Sequence, residues 1–246
     1  MLLIVILLNL YFIDFFSLKL NKLYKLQLNK HLYLKDPQET ELGRKIVEEA
    51  ILLIEEIGFE LFTFKKLAQR IDSVEASIYR YFENKTKLLS YLVAYYWLWL
   101  DFKVSFAINN LSSAEEKLRL TLKFIVDPSL ESGLKPNLNE VILHRIVANE
   151  SLKSFFNKEV DQHNKDGFFL DYKHFCGRIA GLMLELNPSF PYPNALASMI
   201  VEAAHHQIYY AEHLPKLTNL DSREKIKSLI NFLECVLFSA LKNKGE

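Results

Sequence analysis

Between Leu61 and Ser90 the chain concentrates side chains suited to a polyanion. Six cations (Lys65, Lys66, Arg70, Arg80, Lys85, Lys87) stand against three anions (Asp72, Glu75, Glu83), so this stretch carries +3 while the whole chain is formally neutral. A positive face confined to one segment is what a phosphate footprint requires. Lysines on a solvated helical face would give the same count, so charge alone decides nothing. Thr63 and Tyr79 add hydroxyls, which donate to phosphate oxygens. Arg80, Ser77 and Ala76 are the candidates for reading base edges. Glu75 repels phosphate, yet its carboxylate can accept from a cytosine amine.

Other chemistry has weaker footing. His205-His206 invites a metal, with His144, His163 and His174 elsewhere. Adjacent helical residues point about 100° apart, so the pair cannot easily share one ion. Glu202 and His206 are four apart and could share a ligand or a hydrogen bond, but structural roles are favoured. Glu55-Glu56 reads as a solvated pair. Cys176 and Cys235 sit in apolar helical stretches and are expected to be buried thiols in a reducing cytoplasm. No GxGxxG, Walker A, HExxH or GxSxG pattern is present. No catalytic residue, metal or cofactor is therefore expected, and the chain is not read as an enzyme.

The elements that must position the basic segment follow from periodicity. Leu42, Ile46, Ala50, Leu53 and Ile57 recur at spacings of three and four, which predicts an amphipathic helix from Glu39 closed by Gly58. Thr63 is placed to cap a short helix over Phe64–Arg70, with Leu67, Ala68 and Ile71 inward. Ile71-Asp72-Ser73-Val74 is a turn. A second short helix spans Glu75–Tyr81 and leads into Phe82. Tyr81 and Phe82 are read as core anchors. Two short helices joined tightly behind a longer one are the helix-turn-helix layout.

These words together resemble the DNA-binding domain of TetR-type transcriptional regulators (TetR/AcrR-like). The resemblance runs from about Glu39 to Leu92. It is carried by Gly58-Phe59, Thr63-Phe64, Leu67-Ala68, Ile78-Tyr79-Arg80-Tyr81-Phe82, Asn84-Lys85 and Leu88-Leu89. Tyr79–Lys85 is its most diagnostic part. It implies that Thr63, Tyr79 and Lys85 approach DNA phosphates. Two positions depart from the pattern. Asp72 stands where Gly is usual and Val74 where Ser or Thr opens the reading helix. Asp tolerates left-handed φ better than most residues, and Asp72 or Ser73 could supply the cap.

Few breakers (7 Gly, 7 Pro) over 246 residues predict long helices throughout. Lys87–Asn109 reads as one helix, aromatic at Tyr91, Tyr95, Tyr96, Trp97, Trp99, Phe102 and Phe106. Ser112–Glu116 opens a helix to about Val126, and Asp127-Pro128 ends it. A loop over Ser129–Asn137 follows, then helices over Leu138–Glu150, Leu152–Asn164 and Tyr172–Leu186. The last two helices cover about Asn194–Glu212 and Ser222–Lys242, the latter striped by Ile226, Leu229, Ile230, Leu233, Leu237 and Leu241. The resemblance implies a homodimer through these two helices. Ala203, Ala204, Gln207, Tyr210, Phe232 and Val236 fit that role, and burial within one subunit fits them equally.

The first 35 residues differ from the rest. Met1–Phe16 is apolar apart from Asn9 and Asp14, and Leu18–Lys35 is punctuated by five lysines. No basic run precedes the apolar stretch and no small-residue cleavage site follows it, against a secretory signal. A membrane anchor needs about 20 apolar residues. An extension ahead of a domain opening at Asp36-Pro37 is favoured, and an anchor stays open.

The expected architecture is all-α. Residues 36–90 form a three-helix helix-turn-helix domain and residues 91–246 a larger helical effector-binding and dimerisation domain. The expected partners are a palindromic operator in double-stranded DNA, an unidentified small-molecule effector and a second copy of the chain. The rival reading is a helical dimerisation protein whose helix-turn-helix no longer binds DNA specifically. An all-α enzyme has only scattered residues behind it.

Overall fold

The computed structural model describes residues 26–130, 138–155, 158–221 and 223–242. Every regular element among them is helical. Residues 1–25, which hold most of the apolar extension, and most of the expected loop after Val126 lie outside the described residues. No helix among those described is long and apolar enough to cross a membrane.

Helix α1 (Glu41–Leu61) starts behind Thr40, whose hydroxyl accepts from the Gly43 N–H at 3.0 Å. Gly58 leaves helical geometry at φ 75°, where the sequence places the helix end. Thr63 then caps α2 (Phe64–Arg70), accepting from the Lys66 N–H at 3.2 Å. The turn that follows has one strained residue. Asp72 adopts φ 53°, the one left-handed residue other than glycine among those described. Its N–H reaches Gln69 O at 3.3 Å, and the Ser73 N–H reaches Ala68 O at 2.9 Å. These two bonds close α2 as a Schellman motif with Asp in the glycine place. Helix α3 spans Glu75–Tyr79, shorter than expected. Neither Asp72 nor Ser73 caps it, because Val74 occupies the cap position and brings no side-chain acceptor.

Asn84 caps α4 (Lys85–Ile108). Helices α1–α3 make up the head, and the chain after them, the body, adds α5 (Ala114–Val126), α6 (Glu140–Phe155), α7 (Val160–Lys165), α8 (Leu170–Leu186), α9 (Pro193–His213) and α10 (Lys225–Lys242). The expected break near Ser151 does not occur. No Gly or Pro interrupts the chain there, and Ser151 and Ser154 are buried with the Ser154 hydroxyl donating to Ser151 O. Helix α4 packs against α5, α6 and α8. Tyr91, Tyr95, Tyr96, Trp97 and Trp99 are all buried, so this part of its aromatic run is core, whereas Phe106 is exposed.

On α10 only Leu229, Leu233, Leu237 and Leu241 are buried. Ile226 and Phe232 remain exposed. That narrow stripe corrects the expectation of two buried thiols: Cys235 is exposed, Cys176 is partly covered and both are free. Two candidates for the dimer face are also used inside the subunit. Ala204 is fully buried, and the Gln207 side chain accepts from the Thr218 hydroxyl at 2.7 Å.

The turn generates a stability prediction. A left-handed conformation costs an ordinary L-residue roughly 1–2 kcal/mol, and Asp somewhat less. Asp72→Gly is therefore expected to stabilise the fold by about 0.5 kcal/mol after glycine's larger unfolded-state entropy. Asp72→Val should destabilise by more than about 1 kcal/mol, since a β-branched residue resists positive φ. Urea unfolding midpoints of the two variants check the order.

Candidate nucleic-acid interface

The head is built on a buried aromatic floor. Phe62, Phe64, Leu67, Ile78, Tyr81 and Phe82 are all buried. Above it, Thr63, Lys65, Lys66, Ala76, Tyr79 and Arg80 are exposed, and Glu75 and Ser77 are half-buried. The α2–α3 layout thus brings all of these sequence-predicted residues to one small unit. The Tyr79 ring stands edge-on to Phe64 at 5.0 Å yet stays 47% exposed, so packing orients it without hiding it. Tyr81 faces inward, its hydroxyl 2.7 Å from that of Thr40.

The six cations are not equivalent. Arg70 is held by Glu49 and Glu56 of α1, at 2.7 and 2.5 Å. Lys66 Nζ donates to Leu61 O at 2.9 Å. Lys87 Nζ donates to His31 O at 3.3 Å and lies 4.1 Å from the centroid of the Phe168 ring. Lys85 is the most committed. Its ammonium donates to Phe59 O and Glu60 O at 3.1 Å and Phe62 O at 3.3 Å, with the Phe59 ring 4.7 Å away. A cation bonded to the last carbonyls of a helix is favoured by the helix dipole. Lys85 therefore pins the end of α1 against the start of α2. Lys65 and Arg80 carry no hydrogen bond or ion pair among the described residues. Fewer cations are free to face outward than the sequence count suggests, because carboxylates of α1 hold Arg70 and backbone carbonyls hold the ammonium groups of Lys66, Lys85 and Lys87.

Contacts that the sequence did not disclose tie the head to α6. Arg145 pairs with Glu55 at 2.7 Å and Lys153 with Glu60 at 2.7 Å. Glu150 accepts from the Phe59 N–H at 3.4 Å. Glu55 is thus paired rather than merely solvated.

A second constellation lies inside the body. Tyr96 of α4, His144 of α6 and His205 of α9 converge, with the Tyr96 hydroxyl 2.7 Å from His144 Nδ1 and the two imidazoles 5.3 Å apart. Trp97 lies beside His205, Tyr172 and Phe175 at 4.7–5.6 Å between ring centroids. Glu202 accepts from the Tyr172 hydroxyl at 2.8 Å rather than serving His206. Burial pulls the His144 imidazole down to about 4 and drives that of His205 well below its ordinary range. Burial also holds the Tyr96 phenol protonated. The cluster is therefore neutral, and His205 Nε2 and Trp97 Nε1 have no partner among the described residues. It holds no group of three metal-ligating side chains among those residues. Periodicity could not pair His144 with His205, since only helix packing joins them.

Residues 46–92 match the family model described as bacterial regulatory proteins, tetR family. No curated protein matches the chain. Solved structures share the fold over most of the molecule. The fatty acid degradation regulator FadR from Bacillus halodurans is 16% identical, with a TM-score of 0.53 over 82% of this chain and 98% of that one. FadR from Bacillus subtilis, solved with stearoyl-CoA, is 18% identical, with a TM-score of 0.56 over 80% and 97%. AibR, solved with isovaleryl coenzyme A and operator DNA, is 16% identical, with a TM-score of 0.52 over 79% and 98%. At these identities the likeness to the solved structures is one of fold.

The lysines of the head differ in what their removal should cost. Lys85→Ala leaves three carbonyls without their cation and is expected to destabilise the chain by about 1.5–3 kcal/mol, the range for hydrogen bonds to a charged group. Lys65→Ala, which breaks no bond among the described residues, should stay within about 0.5 kcal/mol of the parent. Thermal unfolding compares the two. The buried histidines set a pH dependence. Their folded-state values lie below the unfolded value near 6.5, so unfolding takes up protons as the pH falls. Stability is full above pH 6.5 and drops toward pH 4, by up to about 1.4 kcal/mol per pH unit for each histidine. Urea midpoints at pH 7.5 and 5.5 measure the drop, and His144→Gln should make it shallower.

Proposed function

We propose that this chain, a TetR-type regulator of transcription by its head at residues 46–92, is a repressor. It binds a palindromic operator on double-stranded DNA as a homodimer and releases it when a small molecule enters the body. The observation that carries the DNA reading is the open row on the head. Thr63, Lys65, Tyr79 and Arg80 are exposed on two short helices whose inner faces are fully packed. Thr63, Lys65, Lys66 and Tyr79 suit phosphate, while Ala76, Ser77, Arg80 and Glu75 suit base edges. Lys85 contributes by holding α1 under Thr63. A direct phosphate contact would require its ammonium to leave the carbonyls it now serves.

Two observations support the rest. The aromatic cluster of Tyr96, Trp97, His144, Tyr172 and His205 joins four helices, so a molecule bound there would reposition α4 and α6, both in contact with the head. Of the proteins sharing this fold, one was solved with an acyl-CoA and another with an acyl-CoA and operator DNA. The exposed Ile226 and Phe232 on α10 and Met199 on α9 suit a self-complementary helical face. A two-fold pair of heads would then meet half-sites spaced by about 34 Å.

The rival reading, a head that no longer binds DNA specifically, rests on the uncapped start of α3, on Glu75 and on there being only two unengaged cations among the six. Selection of bound fragments from genomic DNA, followed by mobility shift, separates them. An enriched palindrome is expected. Arg80→Ala should weaken its binding and relax the preference at one base, and Lys65→Ala should lower the slope of log affinity against log salt by about 0.9. Recovery of random fragments, with an affinity indifferent to Arg80, would leave the rival standing.

A further inference from the structure

Residues 26–39 precede α1 and touch both head and body. On the head side the Leu34 N–H donates to Tyr81 O at 2.8 Å, just behind the reading helix. Tyr33 stands edge-on to Tyr91 of α4 at 6.1 Å, and Lys35 Nζ lies 5.5 Å from the Tyr81 ring centroid. Pro37 lies so close to α1 that a Cβ at Gly43 would collide with the Pro37 backbone. Only glycine admits that approach. Gln38 Nε2 donates back to Leu26 O at 3.0 Å, which closes the segment on itself. Leu28 and Leu32 are buried beneath it.

On the body side the segment meets the corner between α7 and α8. Asn29 Nδ2 donates to Asp166 O at 2.5 Å. Gly167 turns that corner at φ 78°, and a Cβ there would lie 2.8 Å from Asn29 Nδ2. Lys87 of α4 clasps both sides, its ammonium on His31 O and over the Phe168 ring. The corner leads directly to the buried cluster: Phe169 packs on Phe155, which stacks on Tyr172.

We propose that residues 26–39 form a strap through which the α7–α8 corner of the body controls how firmly the reading helix is held. The route runs from the corner through Asn29 and Leu34 to Tyr81, one residue beyond Arg80, and it bypasses the core of α4. Its use in regulation rests on the DNA-binding reading, but the coupling itself does not. A passive brace would hold the head equally well whatever the corner did. Coupling requires that a change at the corner be felt at Tyr81.

Hydrogen exchange on the full chain tests this without DNA or effector. Gly167→Ala disturbs the corner by imposing a Cβ on Asn29 and on a positive φ. Exchange is expected to quicken at least about fivefold both in residues 28–35 and in residues 75–84. That factor corresponds to losing about 1 kcal/mol, one hydrogen bond, from local opening. Exchange in α9 and α10 should stay unchanged. Phe168→Leu, which alters the corner and leaves both the corner glycine and every strap residue intact, should quicken the same two segments and decides the matter if Gly167→Ala does not fold. Faster exchange confined to the corner, or to the strap without the 75–84 segment, would overturn the proposal. A chain that selects no operator but shows the coupled exchange would sink only the regulator reading.

Discussion

Over residues 88–97 helix α4 is buried around its whole circumference, so no face of that stretch is left to water. The rest of the chain is arranged to cover it. Leu88, Leu89, Tyr91 and Leu92 at its start are buried by the head and the strap, while Tyr96, Trp97, Leu100 and Val104 are buried by the body. Each such side chain contributes about 1.5–3 kcal/mol when fully buried, far more than any exposed ion pair. One helix therefore serves as core for two functional regions, and neither can shift without disturbing its contacts. The polar groups on α4 obey the same constraint. Lys103 is buried, and its ammonium is met by Glu140 at 2.5 Å and by Pro128 O at 3.2 Å. Tyr96 finds His144.

The same physics assigns the cations of the head. A lysine can hold a phosphate that is sometimes present or carbonyls that are always present. For Lys85 the carbonyls of three residues converge at the dipolar end of α1, and that geometry outweighs solvation. Arg70 meets two carboxylates of α1 for the same reason, although exposed pairs of this kind are worth only about 0–1 kcal/mol. Lys65 and Arg80 meet nothing comparable among the described residues. Charge as read along the chain and charge presented by the surface therefore differ, and the surface value bears on DNA.

The fold is shared with proteins only 16–18% identical to this one, so its architecture tolerates wide change in content. Function on such a scaffold resides in particular side chains. The candidates here are the row from Thr63 to Arg80 and the buried cluster around His205. Its two imidazoles and the Tyr96 phenol are uncharged, Glu202 brings a carboxylate to Tyr172 at its edge, and two of its buried polar atoms have no partner among the described residues. The strap adds a contact between the regions these sites occupy.

Much of this was legible without a structure wherever the cause was local. The hydroxyl of Thr63 caps the helix it precedes, Gly58 and Asp72 take the left-handed conformations their positions require, and the run from Lys87 to Asn109 is one helix. Capping, periodicity and turn chemistry act over a few residues, so residue order alone decides them. Tertiary packing decided the rest. It engaged Arg70, Lys85 and Lys87, extended α6 past Ser151, left Cys235 on the outside, joined His144 to His205 and folded the residues ahead of Asp36 onto both regions. Each of these depends on which distant group arrives as a neighbour, and periodicity along a helix says which face is buried but not what buries it.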